Sequence, residues 1–473
     1  MMNPDPNFFR EGNTDIGPAA GSHPAPDLSE GDSNLSRNRE RWHRGLDRAT
    51  RDLLDRDARV FLHQSLSTPC INVMDACDGS VITDLAGKQY LDFHGNSVHQ
   101  VGFGNRAVIE AIVRQMETLS FCTRRYTNET AVRLAERLID LAPGNLGKLL
   151  FAPGGTSSVG MALKLARVAT GRYKTVSMWD AFHGASLDAV SIGGEALFRK
   201  NMGPLMPGTE HVPPAEPYRC LFNDAGDCGG CGLKCARYID YVLEREGDVA
   251  AVVAEPIRCT YIVPPPRGYW QAVRESCDRH GALLIFDETA VCLGRTGRMF
   301  AFENYGVVPD MVVIGKGLGG GIMPFSALIA RKDLDLAPDR ALGHYTHEKN
   351  PVACAAALAT LEYIRTHDLL GRARELGKRA LDRLGMFRAR FDMVGDVRGE
   401  GLLFGLELVT DRQTKTPAES AADRALYACL EQGLSFKVSK GNFLTLTPPL
   451  TITDREMDLA LDILEKALAQ IIS

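Results

Sequence analysis

The chain has 473 residues, more than one hydrophobic core usually supports, so two or three packed subdomains are expected. The composition is 45% hydrophobic and 24% charged, as in ordinary soluble globular proteins. The 54 Lys and Arg residues nearly balance the 59 Asp and Glu residues, no basic block stands out, and no apolar run is long enough to cross a bilayer. Neither nucleic acid nor a membrane is therefore expected as a partner.

Residues 1–35 are rich in Pro, Gly, Asp, Asn and Ser and predict a disordered tail. They also lack the basic start and the apolar stretch of a secretory signal, so we expect a cytoplasmic location. A charged helical pattern runs from about Leu35 to about His63, and short apolar runs with tight turns predict strands over residues 70–100. Residues 36–105 are assigned to the N-terminal part of a smaller domain.

The middle of the chain alternates between helix and strand patterns, which assigns residues 106–345 to a large domain of the α/β class. Residues 130–141 carry apolar side chains at helical spacing. Short, continuous apolar runs separated by helix-like segments follow at 149–151, 250–254, 282–286 and 311–314. Continuous rather than alternating runs are typical of buried parallel strands, so we expect a parallel sheet between helices.

The pattern changes after about Pro351, where two helices frame short strands. The last helix is predicted to open with a capping box formed by Thr453 and Glu456, and it carries an apolar stripe. Residues 346–473 are therefore assigned to a smaller C-terminal domain.

Three polar side chains follow apolar runs of the predicted sheet: Glu255, Asp287 and Lys316. Ligands bind outside the carboxyl ends of parallel strands, so these positions predict one site. A glycine run, GLGGG, follows Lys316, and a lysine that emerges from an apolar strand into such a loop is poorly solvated. Desolvation makes an amine nucleophilic, as Schiff-base formation requires. The alternative is a surface lysine after an edge strand.

Other positions fit a phosphorylated aromatic cofactor. Asp287 is suited to bind the protonated nitrogen of a pyridine ring, although an aspartate that caps a helix is an equally good interpretation. The turn GGTSS at 154–158 lies between a strand and a helix, where a phosphate would bind; the alternative is a tight turn with an N-cap. Phe182, next to His183, would stack on a cofactor ring or pack in the core.

Four cysteines lie close together in the sequence, with the spacing C-x7-C-x2-C-x3-C: Cys220, Cys228, Cys231 and Cys235. Four thiolates can close a tetrahedral zinc site or hold an iron–sulfur cluster. The favoured alternative is a loop of free thiols packed as small hydrophobic groups, with zinc as the secondary expectation.

These motifs together resemble the class III aminotransferase family, whose members have fold type I and bind pyridoxal 5'-phosphate (PLP). The resemblance covers about residues 70–465 and rests on the phrases YLDFHGNSVHQVGFGN, FAPGGTSSVGMALKLAR, FHGAS, AEPI, IFDETAVCLGRTGRMFAFE, PDMVVIGKGLGGGIMPFSAL, THEKNPVACAAALA and VRGEGLLFGLEL. It implies a large domain with a mostly parallel seven-stranded sheet between helices, and a smaller α+β domain.

The resemblance also implies residue roles. Lys316 corresponds to the Schiff-base lysine, which also shuttles a proton, and Asp287 to the partner of the pyridine nitrogen. The remaining cofactor-binding positions are the phosphate turn, the stacking aromatic with its histidine, a strand-end acid and a threonine from the neighbouring subunit: Gly155, Thr156, Phe182, His183, Glu255 and Thr346. Because Thr346 would act across an interface, a homodimer with shared sites is implied.

The sequence departs from the family pattern at several places. The usual DEVQ reads DETA at 287–290, so a glutamine is missing, and SGTEA reads GGTSS, which loses a glutamate. Arg258 stands where a neutral amide is normal. The arginine that often precedes the final PPL and binds a carboxylate is not found, although Lys437 and Lys440 lie near that position.

These departures point to an unusual substrate. Arg258, Arg124 and Arg125 would suit a phosphate or phosphonate dianion, since the planar guanidinium binds oxyanions in pairs; the alternative is that each pairs with a carboxylate. The chain is also similar to the lyases of this family that act on (R)-1-hydroxy-2-aminoethylphosphonate, on the phrases SLSTPC, RRYTN and SMWDAFHGAS. A PLP-dependent lyase that releases ammonia from this amine is expected. The alternatives are an ω-aminotransferase, a phospho-lyase acting on an amino-alcohol phosphate, and an inactive PLP-binding relative.

Overall fold

The computed structural model of the protein describes residues 36–65, 67–223, 228 and 230–472, so the predicted N-terminal tail lies outside the described residues. The helices are α1 (Arg37–Gly45), α2 (Arg48–Val60), α3 (Arg106–Thr118), α4 (Glu129–Leu141), α5 (Gly155–Thr170), α6 (Leu187–Ile192), α7 (Ala196–Arg199), α8 (Lys234–Glu246), α9 (Tyr269–His280), α10 (Pro351–Thr366), α11 (Leu369–Arg390), α12 (Glu419–Glu431) and α13 (Asp454–Ile472). The strands are β1 (Met74–Asp78), β2 (Val81–Asp84), β3 (Gln89–Asp92), β4 (Leu146–Ala152), β5 (Lys174–Met178), β6 (Thr209–Val212), β7 (Val249–Ala254), β8 (Leu283–Asp287), β9 (Met311–Ile314), β10 (Ser326–Arg331), β11 (Val394–Glu400), β12 (Leu403–Asp411), β13 (Thr416–Pro417), β14 (Leu434–Ser435), β15 (Lys437–Ser439) and β16 (Phe443–Leu446).

The helical pattern predicted near the N-terminus forms two helices rather than one. The backbone becomes extended at Leu46, which ends α1, and Asp47 then caps α2 by accepting a hydrogen bond from the Thr50 N–H at 3.0 Å. An aspartate cap satisfies one of the free N–H groups of the first turn and so begins a new helix. Strands β1 to β3 follow in the region where the sequence predicts short strands, and they pair as an antiparallel sheet.

A seven-stranded sheet forms the centre of the large domain, in the order β4-β10-β9-β8-β7-β5-β6. Strands β5 to β9 are parallel, whereas β10 runs antiparallel to both β4 and β9. Every residue of β7, β8 and β9 is buried, which explains their continuous apolar sequences. The predicted mostly parallel sheet is confirmed, with β4 at its edge.

The C-terminal segment forms a third sheet, in the order β11-β12-β16-β15, with β13 beside β12. Strand β14 instead pairs in parallel with β3, where Leu434 lies opposite Leu91. The N-terminal strands and the C-terminal segment thus share a sheet, in agreement with a single smaller domain whose boundaries remain predictions. No helix in the described part of the chain has the length and apolarity needed to cross a membrane, and the cytoplasmic location also remains a prediction.

Helix α13 opens with the capping box predicted from the sequence. The Glu456 N–H donates to Thr453 Oγ1 at 3.2 Å, and the Thr453 N–H donates to Glu456 Oε2 at 2.7 Å. We expect Thr453→Ala to lower the free energy of unfolding by about 1 kcal/mol, because a first-turn N–H loses its acceptor. Urea unfolding would be compared with that of Thr127→Ala, a change at an exposed threonine. Equal losses in the two variants would contradict a capping role.

Candidate active site

The parallel strands bring the predicted polar residues to one edge of the central sheet. Strands β7 and β8 pair up to Ala254 and Phe286, so the residues that follow, Glu255 and Asp287, lie side by side. Asp287 pairs in turn with β9, and Lys316 follows β9 after a single glycine. The convergence of these three side chains agrees with the strand-end argument made from the sequence.

The Asp287 carboxylate is buried, and its hydrogen bonds leave capacity for one more donor. His183 Nδ1 lies 2.9 Å from Oδ2, while Oδ1 accepts from the N–H of Thr289 at 3.0 Å and from its hydroxyl at 2.5 Å. A carboxylate accepts about four hydrogen bonds, so Oδ2 can still bind a cationic N–H donor such as a pyridinium. The second ring nitrogen of His183, Nε2, is buried without a hydrogen-bond partner.

Thr289 joins three parts of the site. A Cβ atom on Gly155 would lie 2.8 Å from the Thr289 methyl group, and a Cβ on Gly315 would lie 3.2 Å from the same group. The phosphate turn, the Asp287 carboxylate and the residue before Lys316 therefore pack around one side chain. Sequence reasoning noted this threonine only as part of the departure from DEVQ. The available signal was a hydroxyl two residues after a strand-end aspartate, a spacing that favours a local hydrogen bond.

Lys316 begins a short 3-10 turn with φ of 47°, a conformation that is costly for lysine and must be held by its surroundings. The next residue, Gly317, has no space for a side chain, because a Cβ there would overlap the buried amide of Gln100. Burial, followed by the charges of Lys437 and Lys316, lowers the pKa of His94 to about 3. A neutral imidazole thus lies near the half-buried Lys316 amine.

The N-terminus of α5 is open at the predicted phosphate turn. Gly154 precedes the helix in extended backbone, and no side chain caps it. Free N–H groups and the helix dipole make such an end suitable for an anion. Thr156 packs against the loop after β5, because a Cβ on Gly184, where φ is 126°, would lie only 2.0 Å from the Thr156 hydroxyl oxygen. Because residue 184 is glycine, the loop that carries His183 can lie this close to Thr156.

Glu255 holds two loops together at the end of β7. Its carboxylate accepts from the N–H of Phe182 at 3.4 Å and from the N–H of Cys259 at 3.2 Å. Burial raises the pKa of Glu255, and the nearby charge of Arg258 only partly offsets this. The Phe182 ring is half-buried and packs against Phe198 with centroids 4.5 Å apart.

Arg258 is almost fully enclosed but under-used as a hydrogen-bond donor. Only 8% of its surface is exposed, and its Nε and Nη1 atoms have no hydrogen-bond partner. Nη1 lies 3.6 Å from Asp180 Oδ2, too far for a hydrogen bond, whereas Lys440 donates to the same oxygen at 2.6 Å. Burial opposes ionisation of Asp180, but the charges of Lys440 and Arg258 outweigh it and hold the pKa of Asp180 below its usual value.

The other two predicted substrate arginines lie near the segment that carries Thr346. Arg124 Nη1 lies 3.8 Å from Glu348, and Nη2 contacts His344. Arg125 and Thr346 are exposed. Within one chain, Arg124 therefore lies near a carboxylate, as the ion-pair alternative predicts.

The cysteine segment provides no support for zinc. In the described part of the chain, no group of three or more His, Cys, Asp or Glu side chains is arranged to hold a metal ion. Cys231 Sγ lies 3.5 Å from the Cys228 carbonyl oxygen. Burial, followed by the nearby Cys220, Cys231 and Cys228, raises the pKa of Cys235 to about 11. The thiol interpretation is retained.

Comparison with known proteins identifies the family of this site. The sequence profile of aminotransferase class-III matches residues 63–468. The chain belongs to the class III aminotransferase family. One relative is the (R)-1-hydroxy-2-aminoethylphosphonate ammonia-lyase of Vibrio splendidus (strain 12B01), 47% identical over 94% of this chain and 95% of that protein. Another is a leucine/methionine racemase of Thermococcus litoralis, 36% identical over 89% of this chain and 96% of that protein.

Solved structures of similar proteins support PLP as the cofactor. A PLP-bound amine transaminase from an uncultivated Pseudomonas species has a TM-score of 0.81 and 31% identity, over 87% of this chain and 98% of that one. The residues of this class III protein fit the cofactor: an open helix end suits the phosphate, Asp287 has a spare acceptor for the ring nitrogen, and Lys316 lies at the neighbouring strand end.

Sequence reasoning missed a buried cluster around Tyr261. The tyrosine hydroxyl donates to Glu216 at 2.5 Å and to Glu407 at 3.1 Å, and Glu407 also pairs with Arg398 at 2.8 Å and with Arg219 at 2.5 Å. The members come from separate segments of the chain, so no local sequence motif predicts the cluster. The ion pairs hold the Glu407 carboxylate, and the hydrogen bonds to Glu216 and Glu407 orient the tyrosine.

Proposed function

We propose that this class III enzyme is a PLP-dependent ammonia-lyase that converts (R)-1-hydroxy-2-aminoethylphosphonate to phosphonoacetaldehyde and ammonia. The observation that carries the proposal is the 47% identity, over 94% of the chain, to the Vibrio splendidus lyase. The geometry of Arg258 supports it, because a buried guanidinium with unused donors lies next to Glu255 and suits an oxyanion.

The chain's own residues would hold the cofactor at defined places. The open N-terminus of α5, with Gly155 and Thr156, would bind the phosphate, and Asp287, oriented by His183 and Thr289, would keep a proton on the ring nitrogen. When bound, PLP supplies an electron sink for negative charge on the carbon that bears the amine. Asp287 strengthens that sink because its carboxylate stabilises the cationic ring.

Lys316 would move the proton in the reaction. Its amine removes a proton from the carbon that bears the nitrogen, and the electron pair left behind forms a double bond to the neighbouring carbon as hydroxide departs from it. The Lys316 ammonium returns the proton to that hydroxide, so water leaves. The released enamine becomes an imine, which water hydrolyses to aldehyde and ammonia. The water lost and the water gained cancel, so one amine gives one aldehyde and one ammonia.

The leaving group distinguishes this reaction from those of related proteins. Relatives of the chain include a racemase and an amine transaminase, and in both kinds of reaction a proton is returned after the first one has been removed. With a hydroxyl on the adjacent carbon, expulsion of that hydroxyl competes with reprotonation. An ω-aminotransferase remains the second candidate, favoured by the structural likeness to the Pseudomonas transaminase.

We also propose a homodimer in which Thr346 of one subunit reaches the cofactor phosphate of the other. The exposure of Thr346 in the single chain supports this, because a buried threonine would have no access to a second subunit. Arg124, which contacts Glu348 and His344 on the same segment, and the exposed Arg125 would then approach the neighbouring site.

A panel of amines tests the proposed reaction, with ammonia and aldehyde both measured in the absence of a keto acid. The hydroxylated aminoethylphosphonate should yield the two products in equal amounts. Aminoethylphosphonate, which lacks the leaving hydroxyl, should yield neither. Turnover of phosphoethanolamine instead would favour the phospho-lyase alternative, and absence of ammonia from every member would contradict the proposal.

Arg258→Met should raise the KM for the phosphonate by about 10- to 100-fold with a smaller change in kcat. The reason is that a charge-assisted hydrogen bond contributes about 1.5–3 kcal/mol and each 1.4 kcal/mol is about tenfold. Arg340→Met serves as the control, because Arg340 is a surface residue paired with Asp339. Steady-state kinetics identical to the wild type would show that Arg258 does not bind the phosphonate.

A further inference from the structure

Two cations share one carboxylate beside the candidate active site. Asp180 Oδ2 accepts from Lys440 Nζ at 2.6 Å and lies 3.6 Å from Arg258 Nη1. Asp180 follows β5 with φ of 63°, and Lys440 lies in the turn between β15 and β16 with φ of 48°. Aspartate tolerates this left-handed conformation, but for lysine it is unfavourable. The fold therefore holds Lys440 in a backbone conformation that lysine does not favour.

The hydrogen-bond donors of this cluster are not all satisfied. The Arg258 side chain has an exposed fraction of 9%, and two of its donor nitrogens have no acceptor. Buried charges and donors without partners are unfavourable, so such a group indicates an acceptor that is still to be bound. Of the two carboxylates nearby, Asp180 lies between the cations, whereas Glu255 accepts from the N–H groups of Phe182 and Cys259. A cavity of about 40 Å³ also borders Arg258, next to Trp270 and Pro256, and has room for one or a few water molecules.

The Tyr261 ring lies close to both cations. Lys440 Nζ lies 4.3 Å from the ring centroid, and Arg258 lies 6.0 Å from it, both within the range of a cation–π interaction. A third cation, Arg398, lies 4.7 Å from the same ring but is paired with Glu407 at 2.8 Å and Asp396 at 2.9 Å. Arg398 thus has two carboxylates close to it, whereas Lys440 pairs with the same carboxylate that Arg258 approaches, and Arg258 keeps unused donors.

We propose that Asp180 is a displaceable counter-ion and that Lys440 is a second ligand of the substrate phosphonate. This inference rests on the proposed function, since it assigns the phosphonate of the same substrate. A dianion that takes the place of the Asp180 carboxylate between Arg258 and Lys440 neutralises both cations. A monoanion in that place leaves the charge as it was. The Asp180 side chain is 37% exposed, so it has access to solvent when displaced. The site therefore selects phosphonates over carboxylates and sulfonates.

The test is calorimetric titration of the PLP-loaded enzyme with methylphosphonate, which lacks an amine and does not react, and with acetate and methanesulfonate as monoanions. Lys440→Met should weaken methylphosphonate binding about tenfold or more, while Lys440→Arg should retain most of it. Asp180→Asn keeps the shape and the left-handed tolerance of the residue. It should strengthen monoanion binding and reduce the preference for methylphosphonate, because no carboxylate then needs to be displaced.

Lys148→Met is the matched control, since Lys148 is an exposed lysine paired with Asp335 at 3.1 Å. Unchanged PLP absorbance in each variant verifies folding. Equal binding by Lys440→Met and Lys148→Met, or weaker binding of every anion by Asp180→Asn, would overturn the inference. Ammonia release by the wild type tests the proposed function separately. If methylphosphonate binding depends on Lys440 but no ammonia is released, the ligand assignment is retained and the proposed reaction is rejected. If ammonia is released but methylphosphonate binding does not depend on Lys440, the reaction is retained and the ligand assignment is rejected.

Discussion

Lys316→Ala is expected to lower the rate of ammonia release by about 10⁴-fold or more. The variant loses the amine that removes the proton, a contribution of roughly 10²–10⁴ for a general base, and it also loses the nucleophile that binds the cofactor covalently. Steady-state ammonia release measures the first effect. Borohydride reduction followed by peptide mass analysis measures the second, and the pyridoxyl mass should be found on the Lys316 peptide of the wild type and be absent from the variant.

Lys148→Ala, a change at an exposed lysine, is the control for this experiment and should retain full activity. A small primary amine added to Lys316→Ala should restore part of the rate, because it supplies the missing base without changing the fold. Full activity in Lys316→Ala, or a pyridoxyl mass on a different lysine of the wild type, would contradict the role assigned to this residue.

Asp287→Asn is expected to lower kcat by about 10²–10³-fold, the loss that follows removal of one preorganised electrostatic group from an active site. The amide can still accept from the Thr289 N–H, so the local fold should be retained. It cannot stabilise a protonated ring nitrogen as a carboxylate does. The measurement is kcat for ammonia release, with the ultraviolet-visible spectrum of the loaded enzyme as the check on cofactor binding.

Two further variants refine this prediction. Thr289→Val removes the hydroxyl bond to Asp287 but keeps the methyl group that packs against Gly155 and Gly315, so we expect a smaller loss than for Asp287→Asn. Asp339→Asn alters an exposed carboxylate and should have no effect. If Asp287→Asn kept the wild-type kcat, the ring nitrogen would not depend on this carboxylate.

Much of the large domain could be predicted because its signal is local. The apolar runs of β7, β8 and β9 are continuous because each strand is buried on both faces, and the capping box of α13 lies within four consecutive residues. The pairing of β14 with β3 could not be predicted, since Leu434 and Leu91 are distant in sequence and the paired segment of β14 is only two residues long. The break at Leu46 was missed because charged residues continue through it.

In the candidate site, too, the features with a local sequence signal could be predicted and the long-range contacts could not. Lys316, Asp287 and Glu255 follow recognisable strands, so the sequence predicts their convergence. The contacts of Asp180 with Lys440 and Arg258 join three separate segments of the chain. Only the folded chain shows that both cations approach the same carboxylate oxygen. The zinc expectation was not supported, because sequence spacing does not report how side chains are arranged in space, and the described part of the chain brings no three potential ligands together around a metal position.

Ammonia release without any keto acid tests the central claim most directly. The purified, PLP-loaded enzyme would be given (R)-1-hydroxy-2-aminoethylphosphonate alone, and ammonia and phosphonoacetaldehyde would be counted per active site. An ammonia-lyase should continue for many turnovers with the two products in equal amounts. Formation of the aldehyde that keeps the hydroxyl group, limited to one per site, with no free ammonia and the amino group retained on the cofactor, would show that the enzyme is a transaminase instead.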